Sequence, residues 1–339
     1  MKGVRVAFPA PRQVTLEEFD VGEPGPGQVL LRTEKTLIST GTELTGLSGE
    51  FPPGSAWAQY VRYPWHPGYS HVGRVVATGP DVRDLPAGTL VASSAPHASL
   101  VLARAERVRP LPPSVTPEEG TFTVLAATVL NGVRRARIEL GETVVVVGAG
   151  LLGQLTAQFA RLSGAFPLIC IDLSAQRLEL AGRLGALHTL AMPVEEAAAE
   201  VQRLSRGRGA DVLFEVTGNP TVIPPLLKLA RREARVILLG SPRGPSQVDF
   251  HDEVHRLGLR LIGAHTSTHP DHETAQYPWT RARNEQLFLE LLAAGWVNVR
   301  ELITHRYPAQ EASSAYTMLL EDRTRAVGVI LDWTATSTA

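Results

Sequence analysis

The chain has 339 residues and a single cysteine, Cys170. One thiol forms no intrachain disulfide and excludes a zinc cluster built from cysteines. Cys170 stands within Leu168-Ile169-Cys170-Ile171, a setting that reads as core packing. Lysine is almost missing, since of 33 basic residues only Lys2, Lys35 and Lys228 are lysines. No apolar run approaches the roughly 20 residues that cross a bilayer. The N-terminus, Met1-Lys2-Gly3-Val4-Arg5-Val6, passes into a strand pattern without a signal-peptide core. Charge of one sign is lacking too: a formal net charge of −1 gives no reason to expect nucleic acid or an anionic membrane as a partner. Repeats and low-complexity tracts are absent. What remains is a cytoplasmic globular protein, 44% hydrophobic and 20% charged, long enough for two domains.

The most informative stretch present is Val144-Val145-Val146-Val147-Gly148-Ala149-Gly150-Leu151-Leu152-Gly153. Four consecutive valines suit a strand buried on both faces, as in a parallel sheet. Gly-x-Gly-x-x-Gly follows, and then a helical pattern from Leu151 to Leu162. The three glycines serve different ends. Gly148 permits a tight turn, Gly150 lets backbone approach a pyrophosphate, and Gly153 lets the helix lie close on the strand. The amides of Leu151 and Leu152 open the helix N-terminus that faces the anion. Asp172 ends the next apolar run, Phe166 to Ile171, where it would accept hydrogen bonds from the adenosine ribose 2′-hydroxyl. Its carboxylate would repel a 2′-phosphate, which favours NAD over NADP. Arg177 is either a phosphate partner or a solvated helix residue.

Residues 1 to about 120 are β-rich, with short runs at Val4–Phe8, Gln28–Thr33, Val72–Ala77, Thr89–Ala92 and Ser99–Ala103 separated by Pro/Gly turns. The pattern suggests a small barrel-like domain. A boundary falls at Leu111–Glu119, where Thr116 or Ser114 caps the following helix. From 121 to 266 strand and helix alternate, with strands expected at Ala210–Val216, Ala234–Leu239 and Leu259–Ala264. This is the signature of a doubly wound parallel (Rossmann) sheet, so the chain is of α/β class. Ligands bind at the C-terminal ends of such strands, which makes Thr217, Gly218, Gly240, His265 and Thr266 candidates for the cofactor side. Residues 267–339 break the alternation and are expected to return to the first domain, with helices around Glu285–Ala294 and Ala309–Leu320 and a strand at Ala326–Leu331. On this reading Trp279 and Arg283 come from the return, and His269 and His272 are surface residues. His251-Asp252-Glu253-Val254-His255 differs from His-Glu-x-x-His by the place of its glutamate and reads as a solvated helix.

The layout resembles the medium-chain dehydrogenase/reductase superfamily over nearly the whole chain. Thr40-Gly41-Thr42-Glu43 is similar to the Cys-Gly-Thr-Asp segment of zinc alcohol dehydrogenases, and Pro67-Gly68-Tyr69-Ser70-His71-Val72-Gly73 to their Pro-Gly-His-Glu-x-x-Gly. The resemblance implies a discontinuous GroES-like catalytic domain, residues 1–120 and 267–339, around a Rossmann NAD-binding domain, residues 121–266. It also implies a homodimer or homotetramer. Thr40 stands in place of a metal-binding cysteine, Tyr69-Ser70 in place of His-Glu, and Thr123-Val124 near the third ligand position. The expectation is therefore no zinc site. Ser39-Thr40-Gly41-Thr42-Glu43 resembles more closely a zinc-less subgroup that includes relatives of bacteriochlorophyllide hydroxyethyl dehydrogenases.

Without a metal, hydrogen-bond donors or a general acid/base must manage the substrate oxygen. By the resemblance Thr42 begins a proton relay, and Glu43 either orients its neighbours or stays with a cation. Tyr69 either donates a proton or fills the volume that a metal would occupy, and His71 and His97 are each a base or a structural histidine. The expected function is a zinc-independent, NAD(H)-dependent oxidoreductase acting on a secondary alcohol/ketone pair, a sugar or polyol derivative among them. The alternatives are an NADPH-dependent quinone or enone reductase and a non-catalytic cofactor-binding protein.

Overall fold

The structure, a computed structural model, describes residues 1–270 and 272–334. The chain forms two compact units. Unit 1 comprises Met1–Leu125 and Glu285–Ala339, and unit 2 comprises Ala126–Asn284.

In chain order, unit 1 begins with strands β1 (Lys2–Ala7), β2 (Thr15–Asp20) and β3 (Gln28–Leu37), then helices α1 (Thr42–Ser48) and α2 (Ala56–Tyr60). Strands β4 (His71–Thr78), β5 (Leu90–Ser93), β6 (Leu100–Arg104) and β7 (Arg109–Pro110) follow, and then α3 (Pro117–Gly120). Of the two expected caps Thr116 is the one used. Its hydroxyl accepts from the Glu119 amide and the Glu119 carboxylate accepts from the Thr116 amide, closing a capping box. Helix α4 (Thr123–Ala136) leads into unit 2, where β8 (Val144–Val147), α5 (Leu151–Leu162), β9 (Leu168–Asp172), α6 (Ala175–Arg183), β10 (His188–Ala191), α7 (Ala198–Leu204), β11 (Ala210–Glu215), α8 (Ile223–Leu227), β12 (Ala230–Leu238) and β13 (Arg260–Gly263) alternate. Helix α9 (Arg281–Ala293) leads back to β14 (Ile303–Pro308), α10 (Ala312–Asp322) and β15 (Gly328–Asp332).

Unit 2 contains a six-stranded sheet in the order β10-β9-β8-β11-β12-β13, parallel throughout. The order reverses at β8, with β9 on one side and β11 on the other, so the crevice opens at the end of β8. All four valines of β8 are buried, from 0% to 4% exposed. Each contributes about 1.5–3 kcal/mol by leaving water. Cys170 is in the same core, and burial pushes its thiol up to about 12.

Unit 1 pairs β1 with β2 and builds a seven-stranded sheet in which β14, β15, β3, β4, β5 and β7 run in order and β6 also pairs with β3. One core cluster joins Phe8, Ile38 and Leu47 near the start of the chain to Tyr316, Leu319 and Leu331 near the end. The unit is discontinuous because β15 pairs with β3, aligning Asp332 with Lys35.

The return to unit 1 starts at Glu285 rather than at residue 267. Side chains of α4 hold the intervening segment in unit 2. The Asn131 amide donates to Thr268 Oγ1 at 2.9 Å, Arg135 donates to the Thr268 carbonyl, and Arg134 donates to Asn284 Oδ1. Trp279 lies between the guanidinium groups of Arg134 and Arg283, 3.3 and 4.2 Å from its ring centre, so these residues belong to unit 2. His269, expected at the surface, is 9% exposed, with its ring nitrogens facing the carbonyls of Ala127 and Thr266. Periodicity does not reveal this segment, which is fixed by polar contacts and not by an apolar stripe. His251 and His255 fall on a short exposed turn of helix, Phe250–His255.

Candidate active site

In unit 2 the sequence motif becomes a backbone cradle. Gly148 has φ of +101°, and a Cβ there would lie 2.9 Å from Thr217 Cγ2. Gly153 is tighter, since a Cβ there would be 1.8 Å from the Gly148 carbonyl oxygen. Gly150 caps α5 and, within 4 Å of where its Cβ would be, meets only Arg177 Nη1, at 3.9 Å. Arg177 is thus half-buried over the glycine turn and is not a plain solvated helix residue. The side chain of Leu151 turns into the core at 6% exposure while Leu152 remains half-buried. The first-turn amides of a helix have no intrahelical acceptor. No acid stands in the first turn of α5, so the positive end of its dipole is uncompensated.

Asp172 Oδ2 accepts from the Ala149 amide at 2.6 Å and Oδ1 from the Ser174 amide at 2.8 Å. Each oxygen keeps a lone pair for a ribose hydroxyl. These residues fit a dinucleotide: an open glycine, a helix N-terminus for a pyrophosphate and a carboxylate at the end of the second strand. Thr217, Gly218 and Gly240 stand at the ends of β11 and β12. His265 is exposed, and its ring accepts from the Ser267 amide, while Thr266 Oγ1 accepts from Arg281.

In unit 1 the candidate residues gather from four places in the sequence. Ser39 precedes α1, Tyr69 precedes β4, His97 lies between β5 and β6, and Tyr316 is on α10. The Tyr69 hydroxyl donates to Thr42 Oγ1 at 3.2 Å and contacts Ser39 Oγ at 2.5 Å. Since the phenol proton goes to Thr42, Ser39 donates to Tyr69, and three hydroxyls form a directed chain. Burial pushes the Tyr69 hydroxyl up to about 12, so it stays protonated at neutral pH. Thr40 is half-buried in the turn ahead of α1, outside this chain.

Glu43 is 0% exposed. Its Oε1 accepts from the Ser39 amide at 2.8 Å, and its Oε2 accepts from His97 Nε2 at 2.9 Å and from the Tyr316 hydroxyl. The carboxylate therefore holds the backbone of Ser39. Ser39, His97 and Tyr316 do not stand out as a group in the sequence, because their spacing has no local signature.

His71 is not a usable base. It is 1% exposed, and burial holds its imidazole down to about 3. The Thr33 hydroxyl gives its proton to the Ala98 carbonyl, so His71 Nε2 donates to Thr33 Oγ1 at 2.9 Å, and Nδ1 accepts from Ser93 Oγ at 2.8 Å. Both ring nitrogens are occupied by structure. The donor set at the three expected metal positions does not fit zinc either: Thr40, Tyr69-Ser70 and Thr123-Val124 offer hydroxyls where zinc takes thiolate, imidazole or carboxylate. Among the described residues no group of three or more His, Cys, Asp or Glu side chains is arranged to hold a metal ion.

A family model described as zinc-binding dehydrogenase matches residues 152–279, a stretch that includes none of those three positions. The chain is 28% identical to the L-threonine 3-dehydrogenase of Pyrococcus abyssi, covering 86% of this chain and 87% of that one. It is 26% identical to the 2-desacetyl-2-hydroxyethyl bacteriochlorophyllide A dehydrogenase of Cereibacter sphaeroides, covering 99% and 100%. A structure from Sinorhizobium meliloti 1021 bound to NADP superposes with a TM-score of 0.78 at 24% identity, covering 98% and 99%. No helix of the described residues is long and apolar enough to cross a membrane. The chain belongs to the zinc-type medium-chain dehydrogenase superfamily, as an alcohol-dehydrogenase-like oxidoreductase that uses a nicotinamide cofactor.

Proposed function

We propose that this member of the superfamily is a zinc-independent, NAD(H)-dependent oxidoreductase that interconverts a secondary alcohol and its ketone. The observation that carries the proposal is the Ser39–Tyr69–Thr42 hydroxyl chain, centred on Tyr69, which stands where the resemblance has a metal-binding histidine. The bound dinucleotide supplies the hydride acceptor or donor. The residues of unit 1 handle the proton. In ketone reduction Tyr69 turns its hydroxyl from Thr42 to the carbonyl oxygen and transfers its proton there, and a proton from solvent, passed through Ser39, restores the phenol. In the reverse direction a proton leaves through Ser39 to solvent as Tyr69 takes up the proton of the alcohol. A phenol held near 12 is suited to this, because it remains an acid at neutral pH yet is far more acidic than an alcohol. A site lined by hydroxyls suits a hydroxylated small molecule, a sugar or polyol derivative.

Asp172 supports NAD over NADP, because its two oxygens are placed to accept from a ribose diol. A second reading, an NADPH-dependent quinone or enone reductase, is favoured by the Arg177 guanidinium over Gly150 and by the NADP held in the Sinorhizobium meliloti structure. We also take the protein to be a cytoplasmic homodimer or homotetramer: β13 is an outer strand of its sheet and leaves Leu261 36% exposed.

The deciding experiment is a fluorescence titration with NADH and NADPH on protein assayed for metal. It is followed by ketone reduction with the wild type and Tyr69→Phe. A tenfold or greater preference for NADH without stoichiometric zinc, and activity lost in the variant, is the expected result. Preference for NADPH would transfer the conclusion to the second reading, and stoichiometric zinc would overturn the metal-free chemistry.

A further inference from the structure

Glu215 ends β11 in the middle of the parallel sheet, in register with Val147 of β8 and Leu238 of β12. It is 0% exposed, as are Val212, Leu213 and Phe214 before it. A carboxyl group in such a core is costly, and burial pushes this one above the usual carboxylate range. Its bonding shows what it does there. Oε1 accepts from the Thr217 amide at 2.7 Å, from the Gly218 amide at 3.1 Å and from the Thr217 hydroxyl. The side chain thus folds back over the end of its own strand and holds the turn that follows. Oε2 has no hydrogen-bond partner among the described residues.

That turn touches both of its neighbours. A Cβ on Gly240, after β12, would be 2.5 Å from the Gly218 amide nitrogen and 2.9 Å from Glu215 Oε2. On the other side, Thr217 Cγ2 comes within 2.9 Å of where a Cβ on Gly148 would be, and Val216 Cγ2 within 3.3 Å of one on Gly153. One side chain therefore holds the turn after β11, which packs closely against the turns after β8 and β12. The adenosine side of the crevice lies across β8, at Asp172 on β9. The turn that Glu215 holds is on the opposite side of the switch point, where the nicotinamide half of a dinucleotide extends.

We propose that Glu215 is a positioning residue that shapes the wall for the nicotinamide half of the cofactor. The inference rests on the dinucleotide reading of unit 2. Calorimetric binding of NADH and of AMP to the wild type, Glu215→Leu and Glu215→Gln tests it, using NADPH if the wild type prefers it. AMP probes only the adenosine half. The expected result is that Glu215→Leu weakens NADH at least tenfold and leaves AMP within twofold, while Glu215→Gln, which keeps the acceptor oxygen, stays within about threefold of wild type for both. Equal losses of NADH and AMP in Glu215→Leu would reduce Glu215 to a general structural role and overturn the proposal, as would unchanged NADH binding. Should Glu215→Leu fail to fold, Thr217→Val removes one donor to the same oxygen. It is expected to lower NADH affinity several-fold without affecting AMP, and an unchanged NADH affinity there overturns the proposal. A wild type that binds neither dinucleotide would instead overturn the reading of unit 2.

Discussion

The two units build their candidate sites from different materials. Unit 2 uses main chain: Gly148, Gly150 and Gly153 matter for what they omit, and the groups offered to a ligand are amides fixed by the fold of β8 and α5. Unit 1 uses side chains: Ser39, Tyr69 and Thr42 are ordered by a buried carboxylate, Glu43, which takes donors from His97 and Tyr316. A main-chain site tolerates change in every side chain except the ones that must be absent. A side-chain site can be dismantled one hydroxyl at a time while the fold survives.

Substitutions separate the two designs. Gly153→Ala should have the largest effect, since the added carbon would sit 1.8 Å from a carbonyl oxygen. Overpacking of this kind costs about 1–3 kcal/mol and occasionally more, and the expected outcome is loss of detectable NADH binding with a lower melting temperature. Tyr69→Phe should do the reverse, lowering kcat for ketone reduction by roughly a hundredfold with the dissociation constant for NADH unchanged. If NADH binding fell with kcat, the division of labour between the units would be wrong.

A pH titration of stability probes the buried part of unit 1. His71 is held down to about 3 from 6.5, so below pH 6.5 the unfolded chain takes up a proton that the folded chain refuses. Stability is therefore lost as pH falls through this window, by at most about 1.4 kcal/mol per pH unit, or roughly 2 kcal/mol by pH 5. Denaturant unfolding should show this slope in the wild type and a shallower one in His71→Gln. The smallest effect is expected from Asp172→Asn, which keeps an acceptor at the ribose but removes the charge. Titration with both dinucleotides should show the preference for NADH reduced by about tenfold, close to 1.4 kcal/mol.

Much of unit 2 is legible in the sequence because its determinants are local. The valine run, the glycine spacing and Asp172 lie within one βαβ unit, and the expected helix Leu151–Leu162 agrees with α5 residue for residue. In unit 1 strands β1, β3, β4, β5, β6 and β15 are also legible from alternation and turn residues, whereas β2, β7 and β14 are not. Nor is its polar network. Glu43 and Ser39 share one motif, but the other partners of Glu43 come from positions 97 and 316, and nothing in a linear pattern links these to it. Glu215 escapes notice for a related reason: a glutamate at the end of an apolar run looks like a residue leaving the core, whereas its side chain turns back to hold Thr217 and Gly218. The segment 267–284 is misassigned from the sequence because hydrogen bonds from α4, not hydrophobic periodicity, hold it.

The bond between Tyr316 and Glu43 also bears on how the molecule is made. The two residues are 273 positions apart, and at about 5–20 residues per second a ribosome takes roughly a quarter of a minute to a minute to cover that distance. All six strands of unit 2 are synthesised within that interval, so the central unit can complete its sheet first. Throughout it, the first third of the chain lacks both the β15 strand that pairs with β3 and the tyrosine that completes the Glu43 site. Unit 1, although it begins first, is finished last, and until then its apolar face and its unmatched acid are the part of the nascent chain most in need of protection.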